Sequence, residues 1–409
     1  MATRPARALR PDHSLTLLRG GEDLFPAMTE AIAGARAEVM VETYIFAFQG
    51  SVVPVAEALE RAAARGVTVR VVVDGVGTGE IPPEWQRRWA QAGVRWRIFN
   101  PARGWRVLLP RRWRRMHRKL CVVDGEVAFC GGINLLDDHW DPTHGTLDKP
   151  RLDFAVRATG PLVADVHDTM TRMWRRLQVA REALQHDVEG ALRAVREAAR
   201  AGAEEPVRPT VLQHGAVAAL VLRDNFRFRR RIEGTYRVSI AQARREILIA
   251  NAYFVPGVQL QRALLRAARR GVKITLLLQG RYEYFMQYHA SRAVYDVLLN
   301  AGIEIIEYEA SFLHAKVAVM DSPLGAVSTV GSSNLDPLSL LLAREANVFV
   351  RDDAFGAQLR AHLVEAMEEG IGRRVGHAEH QRRPYAARAL TWIAYALMRV
   401  ALLITGKRY

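Results

Sequence analysis

Cysteine is nearly absent from this sequence of 409 residues, in which Cys121 and Cys130 are the only two thiols. Two cysteines cannot form the disulfide framework of a small secreted protein or a cysteine-rich structural zinc site. The N-terminal stretch MATRPARALRPDHS also lacks the apolar core of a signal peptide. We therefore expect neither secretion nor a structural metal, and a location on the cytosolic side of the cell.

Lysine is almost as scarce, because only five of the 58 basic residues are lysines and the rest are arginines. Against 43 acidic residues they give a formal net charge of +15. The planar guanidinium group binds phosphate through two parallel hydrogen bonds, so nucleic acid and anionic lipid are the leading partner classes. With 49% hydrophobic and 25% charged residues, general disorder, collagen and a polytopic membrane protein are excluded.

The chain contains an internal repeat. Residues Ile32 to Phe46 resemble Ile240 to Phe254, and Ala58 to Gly75 resemble Ala263 to Gly280, in the same order and without gaps. In each half the pattern predicts a helix, a buried strand, an amphipathic helix ending at a glycine, and another apolar strand. Alternating strands and helices favour a layered α/β fold, and the duplication predicts two such domains.

Composition suggests where these domains begin and end. We predict a first domain over residues 1–175 and a second over 210–375. An Ala-, Arg- and Glu-rich helical connector over 176–209 ends near two prolines, and a C-terminal tail covers 376–409.

The first half carries a group of polar residues with a specific spacing. His117 and Lys119 precede an apolar run that ends at Asp124, and Gly131-Gly132-Ile133-Asn134 follows. Because residues i and i+2 of a strand share a face, the histidine and the lysine are expected to project into one cleft. The Asp-Gly turn predicts a hairpin whose return strand brings Asn134 back toward His117.

The same series occurs in the second half as His314, Lys316 and Asp321, followed by Gly331-Ser332-Ser333-Asn334. A single histidine on a strand is more often structural than catalytic. Two copies at the same place in a repeated strand order instead indicate a duplicated active site.

The two HxKxxxxD elements, each followed by G(G/S)xN, resemble the phospholipase D superfamily over nearly the whole chain. The segments ETYIFAF, GGINLLDDHW and NAYFVPG are most similar to bacterial cardiolipin synthases of the short type without N-terminal transmembrane helices. The resemblance implies two phospholipase D-like α/β domains, each a mixed sheet flanked by helices, packed about a pseudo-twofold axis. Both halves would then contribute to one active site.

This resemblance also implies a mechanism that needs no cofactor and no metal. One imidazole attacks phosphorus and forms a covalent phosphatidyl-histidine, while the other protonates the leaving alcohol and later deprotonates the incoming one. By resemblance, His117 is the nucleophile and His314 the acid/base. The expected donors to the phosphate oxygens are Lys119, Lys316, Asn134 and Asn334, with Ser332 or Ser333 supplying a hydroxyl that the Gly-Gly of the first half lacks.

Each histidine needs a carboxylate behind it to hold its proton in a positively charged cleft. Family resemblance places such an acid downstream of each Asn, which gives Glu345 in the second half. In the first half Asp153 is the main candidate; Asp137, Asp138 and Asp148 are weaker ones. Asp124 and Asp321 belong to the catalytic motif, but their position favours a structural role in holding the turn.

Two segments suggest a membrane surface. Arginines alternate with tryptophan and aliphatic residues from Arg103 to Lys119, a mixture that suits anionic lipid and also single-stranded nucleic acid. Residues Ala386 to Thr405 predict an amphipathic helix whose narrow polar stripe contains Arg388, Thr391, Tyr395 and Arg399. We expect this helix to lie in the interface plane with the stripe toward the headgroups, although packing on the protein core is the alternative.

The favoured hypothesis is a cardiolipin synthase-type phosphatidyltransferase that takes a phosphatidyl group from phosphatidylglycerol. The alternatives are a phospholipase D-like hydrolase, a nuclease or phosphodiesterase of the superfamily, and a non-catalytic phosphate-binding or membrane-scaffold protein. We expect anionic phospholipid and a membrane surface as partners, peripheral or monotopic attachment on the cytoplasmic side of the cell membrane, no nucleic acid and no obligate protein partner.

Overall fold

The computed structural model describes residues 9–101, 114–184, 216–224, 228, 230–283, 285–336, 343–378, 382 and 385–404. In the first half the strands are β1 (Arg10–Arg19), β2 (Glu38–Thr43), β3 (Thr68–Asp74), β4 (Arg95–Phe99), β5 (Arg115–Met116), β6 (Lys119–Val123), β7 (Val127–Gly131), β8 (Trp140–Asp141), β9 (Gly145–Thr146) and β10 (Phe154–Thr159). The helices are α1 (Gly20–Ala33), α2 (Val53–Ala64), α3 (Pro83–Ala92) and α4 (Pro161–Leu184).

The second half repeats this order. Its strands are β11 (Ala216–Arg223), β12 (Glu246–Asn251), β13 (Lys273–Gln279), β14 (Glu304–Tyr308), β15 (Lys316–Met320), β16 (Val327–Gly331), β17 (Ala343–Arg351) and β18 (Gly372–Arg374). Its helices are α5 (Arg231–Gln242), α6 (Val258–Arg269), α7 (Phe285–Arg292), α8 (Tyr295–Asn300), α9 (Asp353–Glu365) and α10 (Tyr385–Ile404).

Sixteen of the described strands form one sheet in the order β18-β14-β13-β12-β15-β16-β17-β11-β1-β10-β7-β6-β2-β3-β4, with β5 joined to β17. From the central antiparallel pair β1–β11 outward, the strands of one half match those of the other in the same order. The outer strands β2, β3 and β4 are parallel, whereas β6 and β7 are antiparallel. The predicted mixed α/β fold of two duplicated units is confirmed.

The repeated sequence segments form these elements for local reasons. The strand β6 and its counterpart β15 are buried along their whole length, which explains their uninterrupted apolar runs. The helices α2 and α6 each bury one face and are followed by Gly66 and Gly271, whose φ angles of +91° and +84° favour glycine. Each half has its own apolar core, and a third core contains residues of both halves. The two halves are therefore packed together along the sheet.

The predicted boundary at residue 175 falls inside α4, which continues without interruption to Leu184. Helix α4 packs against strands of the first half and also against β11 of the second. It is therefore part of the packed body at least as far as Leu184, and the remainder of the predicted connector, residues 185–209, lies outside the described residues.

Helix α10 lies against α7, and its orientation differs from the expectation. Thr391 is 7% exposed and Ala394 0%, so this side faces the protein, whereas Trp392 and Ile393 are each 55% exposed. The predicted polar stripe therefore packs inward at Thr391, because a small polar residue fits closely against a neighbouring helix, and apolar side chains face outward. The Arg388 and Arg399 side chains and residues 102–113 are outside the described part. Within the described residues, no helix is long and apolar enough to cross a membrane.

Candidate active site

The two histidines lie just before strands β6 and β15, at the edge of the sheet where each apolar run begins. The side chain of each lysine forms a hydrogen bond with the backbone of the histidine two residues before it. Lys119 Nζ donates to His117 O at 2.8 Å, and Lys316 Nζ donates to His314 O. Both lysines are buried. The sequence spacing thus places a cation beside each imidazole, as the strand period requires.

His117 is held by groups of the opposite half. Its backbone N donates to Arg344 O at 3.0 Å, next to the parallel pairing of β5 with β17. Its Nδ1 lies 3.2 Å from Glu345 Oε2 and 3.2 Å from Ser332 O. The carboxylate that orients the first histidine therefore comes from the second half.

His314 is held in the reciprocal way. Its backbone N donates to Leu152 O at 2.9 Å, and Leu152 forms a bridge with Leu313. The Nδ1 atom of His314 lies 2.6 Å from Asp153 Oδ2. Each half thus contributes a histidine to one dyad and a carboxylate to the other, so neither half contains a complete dyad. The spacing within a half gives no signal for this exchange.

Asn134 and Asn334 leave the return strands β7 and β16 at the edge occupied by the histidines. Lys119 is opposite Gly131 in the β6–β7 pair, so continuing this register brings the chain level with His117 at Ile133, one residue before Asn134. Both asparagines are buried. Asn134 Oδ1 accepts from Ile45 N at 3.3 Å, and within the described residues Asn334 Oδ1 has no hydrogen-bond partner. Their position fits the phosphate-binding role predicted for them.

Ser332 differs from the expectation that it contacts substrate phosphate. Its hydroxyl is fully buried, donates to Glu345 Oε2 at 2.5 Å and accepts from Ala346 N at 3.1 Å. Ser332 therefore positions the carboxylate behind His117. The equivalent residue in the first half is Gly132, where an added Cβ would lie 2.3 Å from Asp153 Oδ1.

A second difference between the dyads is an arginine. Arg223, at the end of β11, is directly opposite Glu345 in the strand pair and is 1% exposed. The same position in the first half is occupied by Gly20, whose N donates to Asp153 O at 2.9 Å. Arg223 was not identified as a site residue from the sequence. Its place at the end of an apolar strand was the signal that it is buried.

The pKa values of the two carboxyl groups are shifted in opposite directions. Burial alone would raise the pKa of Glu345, but His117 and Arg223 outweigh burial and hold this pKa below its ordinary value. Burial raises the pKa of Asp153 to about 7, and Lys316 and Lys119 offset this only in part. Near neutral pH, Glu345 is therefore ionised, whereas Asp153 is present in both its protonated and its ionised form.

The pKa values of the lysine and the histidine in each motif are all lowered, which favours their neutral forms. Burial lowers the pKa of Lys119 to about 7 and that of Lys316 to about 8. Burial and Lys119 lower the pKa of His117, although Glu345 acts in the opposite direction. Burial and the two lysines lower the pKa of His314 well below its ordinary value. An anionic phosphate bound between the two dyads would stabilise the charged lysines.

The aspartates of the two motifs are not in the reacting part of the site. Asp124 lies at the far end of β6 and accepts from the backbone N atoms of Arg36, Ala37 and Glu38 at 2.8 Å each. Asp321 accepts from the equivalent N atoms of Arg244, Arg245 and Glu246. Their grouping with the catalytic residues is corrected: they fix the end of the neighbouring strand, which agrees with the structural role suggested by their position.

The remaining carboxylate candidates lie elsewhere. Asp138 is buried and accepts from Gly21 N at 2.5 Å, Asp137 accepts from Ser51 N at 3.0 Å, and Asp148 is exposed. Within the described residues, no group of three or more His, Cys, Asp or Glu side chains has the arrangement of a metal site.

Comparison with known proteins agrees with this geometry. The family model "Cardiolipin synthase, PLD-like domain" matches residues 28–147 and 236–367, one segment in each half. Cardiolipin synthase B of Escherichia coli strain K12 is 36% identical over 364 residues, which cover 87% of this chain and 80% of that protein. The chain belongs to the cardiolipin synthase family. It is therefore a phospholipid phosphatidyltransferase of the phospholipase D superfamily, and both predictions are confirmed.

Solved structures show the same fold. Phosphatidylserine synthase of Haemophilus influenzae Rd KW20 aligns with a TM-score of 0.63 at 11% identity, over 95% of this chain and 94% of that one. Polyphosphate kinase of Porphyromonas gingivalis aligns with a TM-score of 0.56 at 16% identity, over 94% of this chain but only 56% of the kinase. At these identities the likeness concerns the fold alone.

Proposed function

We propose that this cardiolipin synthase homologue transfers a phosphatidyl group from phosphatidylglycerol to a hydroxyl of a second lipid through a phosphatidyl-histidine. The observation that carries the proposal is the exchange of carboxylates: each histidine is oriented by an acid from the other half, beside two buried lysines. Two imidazoles that face one phosphate-binding cleft are what a two-step displacement at phosphorus needs.

The difference between the dyads supports His117 as the nucleophile. Ionised Glu345 accepts a hydrogen bond from Nδ1–H of His117, which leaves the lone pair of the other ring nitrogen available to attack phosphorus. Protonated Asp153 instead donates to Nδ1 of His314, which places a proton on the other ring nitrogen, where it can be given to the leaving alcohol. The same dyad can later accept the proton of the incoming alcohol.

The direct test is incubation of the purified protein with phosphatidylglycerol vesicles in EDTA, followed by mass analysis of the lipids. We expect cardiolipin and free glycerol as products. Phosphatidic acid as the main product would favour the hydrolase alternative. Cleavage of single-stranded DNA without lipid turnover would favour the nuclease.

The pH dependence of kcat/KM follows from the groups of the free enzyme. The Asp153–His314 dyad must hold a proton to act as the acid, and the pKa of Asp153 is raised to about 7. Lys119, with its pKa of about 7, loses its charge over the same range. We therefore expect kcat/KM to fall steadily as the pH rises above about 7. A kcat/KM that increases between pH 7 and pH 9 would contradict this assignment.

The partner we propose is an anionic phospholipid surface, with peripheral or monotopic attachment. The outward apolar side chains of α10, namely Trp392, Ile393, Leu397 and Val400, are each about half exposed. A helix docked on the body with its apolar face outward suits insertion into the headgroup region. We propose the cytoplasmic leaflet, because its negative surface potential would attract a protein with a net charge of +15.

The variant Ile393→Asp/Leu397→Asp tests this attachment. Each substitution replaces an apolar side chain that would be buried in lipid, so we expect binding to anionic vesicles to fall by about 100-fold. The control is Val238→Asp, which changes a side chain that is 58% exposed on α5. Equal sedimentation of both variants with vesicles would show that α10 is only a packing helix.

A further inference from the structure

A tyrosine follows strand β12 on the His314 side of the site. In the β12–β15 pair Asn251 is opposite Lys316, and Ala252 N donates to Ala315 O at 3.1 Å. The next residue, Tyr253, is therefore level with His314. In the first half the aligned position is Ile45, whose backbone N donates to Asn134. His117 has a phenolic neighbour of its own, Tyr44, whose ring centroid lies 4.9 Å from that of the imidazole. Tyr44 and Tyr253 occupy adjacent, not equivalent, positions of the repeat.

Tyr253 is joined to a carboxylate. Its hydroxyl donates to Glu283 Oε2 at 2.6 Å, and both residues are partly exposed. Glu283 also interacts electrostatically with Arg151 and Lys316, which places it within the polar surroundings of His314.

A third carboxylate is unexpected in a cleft that binds an anionic phosphodiester, because it repels the phosphate. Glu345 and Asp153 are explained by the histidines that they orient, but Glu283 contacts neither histidine in any hydrogen bond of the described residues. A carboxylate accepts hydrogen bonds from hydroxyl groups, and a phenol can both donate and accept. Such a pair suits a ligand with several hydroxyl groups.

We propose that Tyr253 and Glu283 form a polyol subsite that binds the glycerol hydroxyls of the leaving and the incoming alcohol next to His314. The inference rests on the proposed function and names the part of the site that recognises the alcohol. In the first step the phosphorus–oxygen bond to glycerol breaks, a bond to His117 nitrogen forms, and His314 gives its proton to the glycerol oxygen. In the second step the incoming hydroxyl forms the new phosphorus–oxygen bond, the bond to His117 breaks, and the hydroxyl proton returns to His314.

Competition between two soluble acceptors tests the subsite. Phosphatidylglycerol vesicles are incubated with the full-length protein and a mixture of deuterated glycerol and ethanol, and the ratio of labelled phosphatidylglycerol to phosphatidylethanol is measured by mass spectrometry. Both products come from the same phosphatidyl-enzyme, so the ratio is independent of the rate of donor cleavage and of the fraction of folded protein. Ethanol has no second hydroxyl group for the pair to recognise.

We expect Glu283→Gln and Tyr253→Phe each to lower the glycerol-to-ethanol ratio by about 10-fold, the discrimination typical of one or two hydrogen bonds. The matched controls Glu304→Gln and Tyr236→Phe, which lie on β14 and α5 of the same half, should keep the wild-type ratio. An unchanged ratio in both Glu283→Gln and Tyr253→Phe would overturn the polyol subsite and leave the transferase function standing. Formation of neither product by the wild-type protein would instead contradict the proposed function itself.

Discussion

Replacing either His117 or His314 with alanine is expected to lower phosphatidyl transfer by about 10⁴-fold or more, because groups that act as one catalytic unit fail together. For the same reason the double variant should be scarcely slower than either single variant. The control is His167→Ala, which removes an imidazole that contacts Glu38 on the other side of the first half. Turnover of cardiolipin from phosphatidylglycerol vesicles is the measurement.

The fold of these variants should be unaffected. Both rings are partly exposed, so their loss leaves no large cavity in an apolar core. Thermal unfolding of each variant should therefore match the wild type within a few degrees. Activity above about a tenth of wild type in either single variant would contradict a site that needs both halves.

A second large loss of activity is expected when either carboxyl group behind the histidines is replaced. Glu345→Gln and Asp153→Asn should each lower kcat by about 10³- to 10⁴-fold, because an amide in place of a carboxyl group cannot fix the same imidazole tautomer. The matched control is Asp148→Asn on the exposed insert of the first half. Each variant alters a dyad whose histidine belongs to the other half of the chain.

The two carboxyl variants should fail at different steps. With a donor that carries a p-nitrophenol leaving group, protonation of the leaving oxygen is unnecessary, so Asp153→Asn should recover cleavage while Glu345→Gln should not. Equal recovery of both variants would show that the dyads are interchangeable and would contradict the assignment based on Arg223 and Ser332. Release of p-nitrophenol gives the measurement directly.

The sequence predicted the parts of this molecule that depend on local pattern. The repeated strand order, the His-x-Lys spacing and the glycines after α2 and α6 follow from strand and helix periods. The identities of Glu345 and Asp153 were also within reach, because family resemblance places an acid downstream of each Asn. Each of these features depends on residues that are close in the chain.

What the sequence could not predict depends on contacts between distant strands. The exchange of carboxylates arises where β5 pairs with β17 and where Leu152 meets Leu313. No spacing within one half contains that information. The prediction that Ser332 faces substrate was wrong for the same reason, because the orientation of its hydroxyl depends on Glu345 in the neighbouring strand. The inward side of α10 likewise depends on its contact with α7.

The position of the covalent adduct tests the central claim most directly. His314→Ala is mixed with the p-nitrophenol donor, quenched and digested, and the modified peptide is sequenced by mass spectrometry. We predict a phosphatidyl or phosphoryl group on His117, because its dyad with ionised Glu345 prepares the attacking nitrogen. An adduct on His314 in the reciprocal His117→Ala variant, with none on His117 in His314→Ala, would contradict the account.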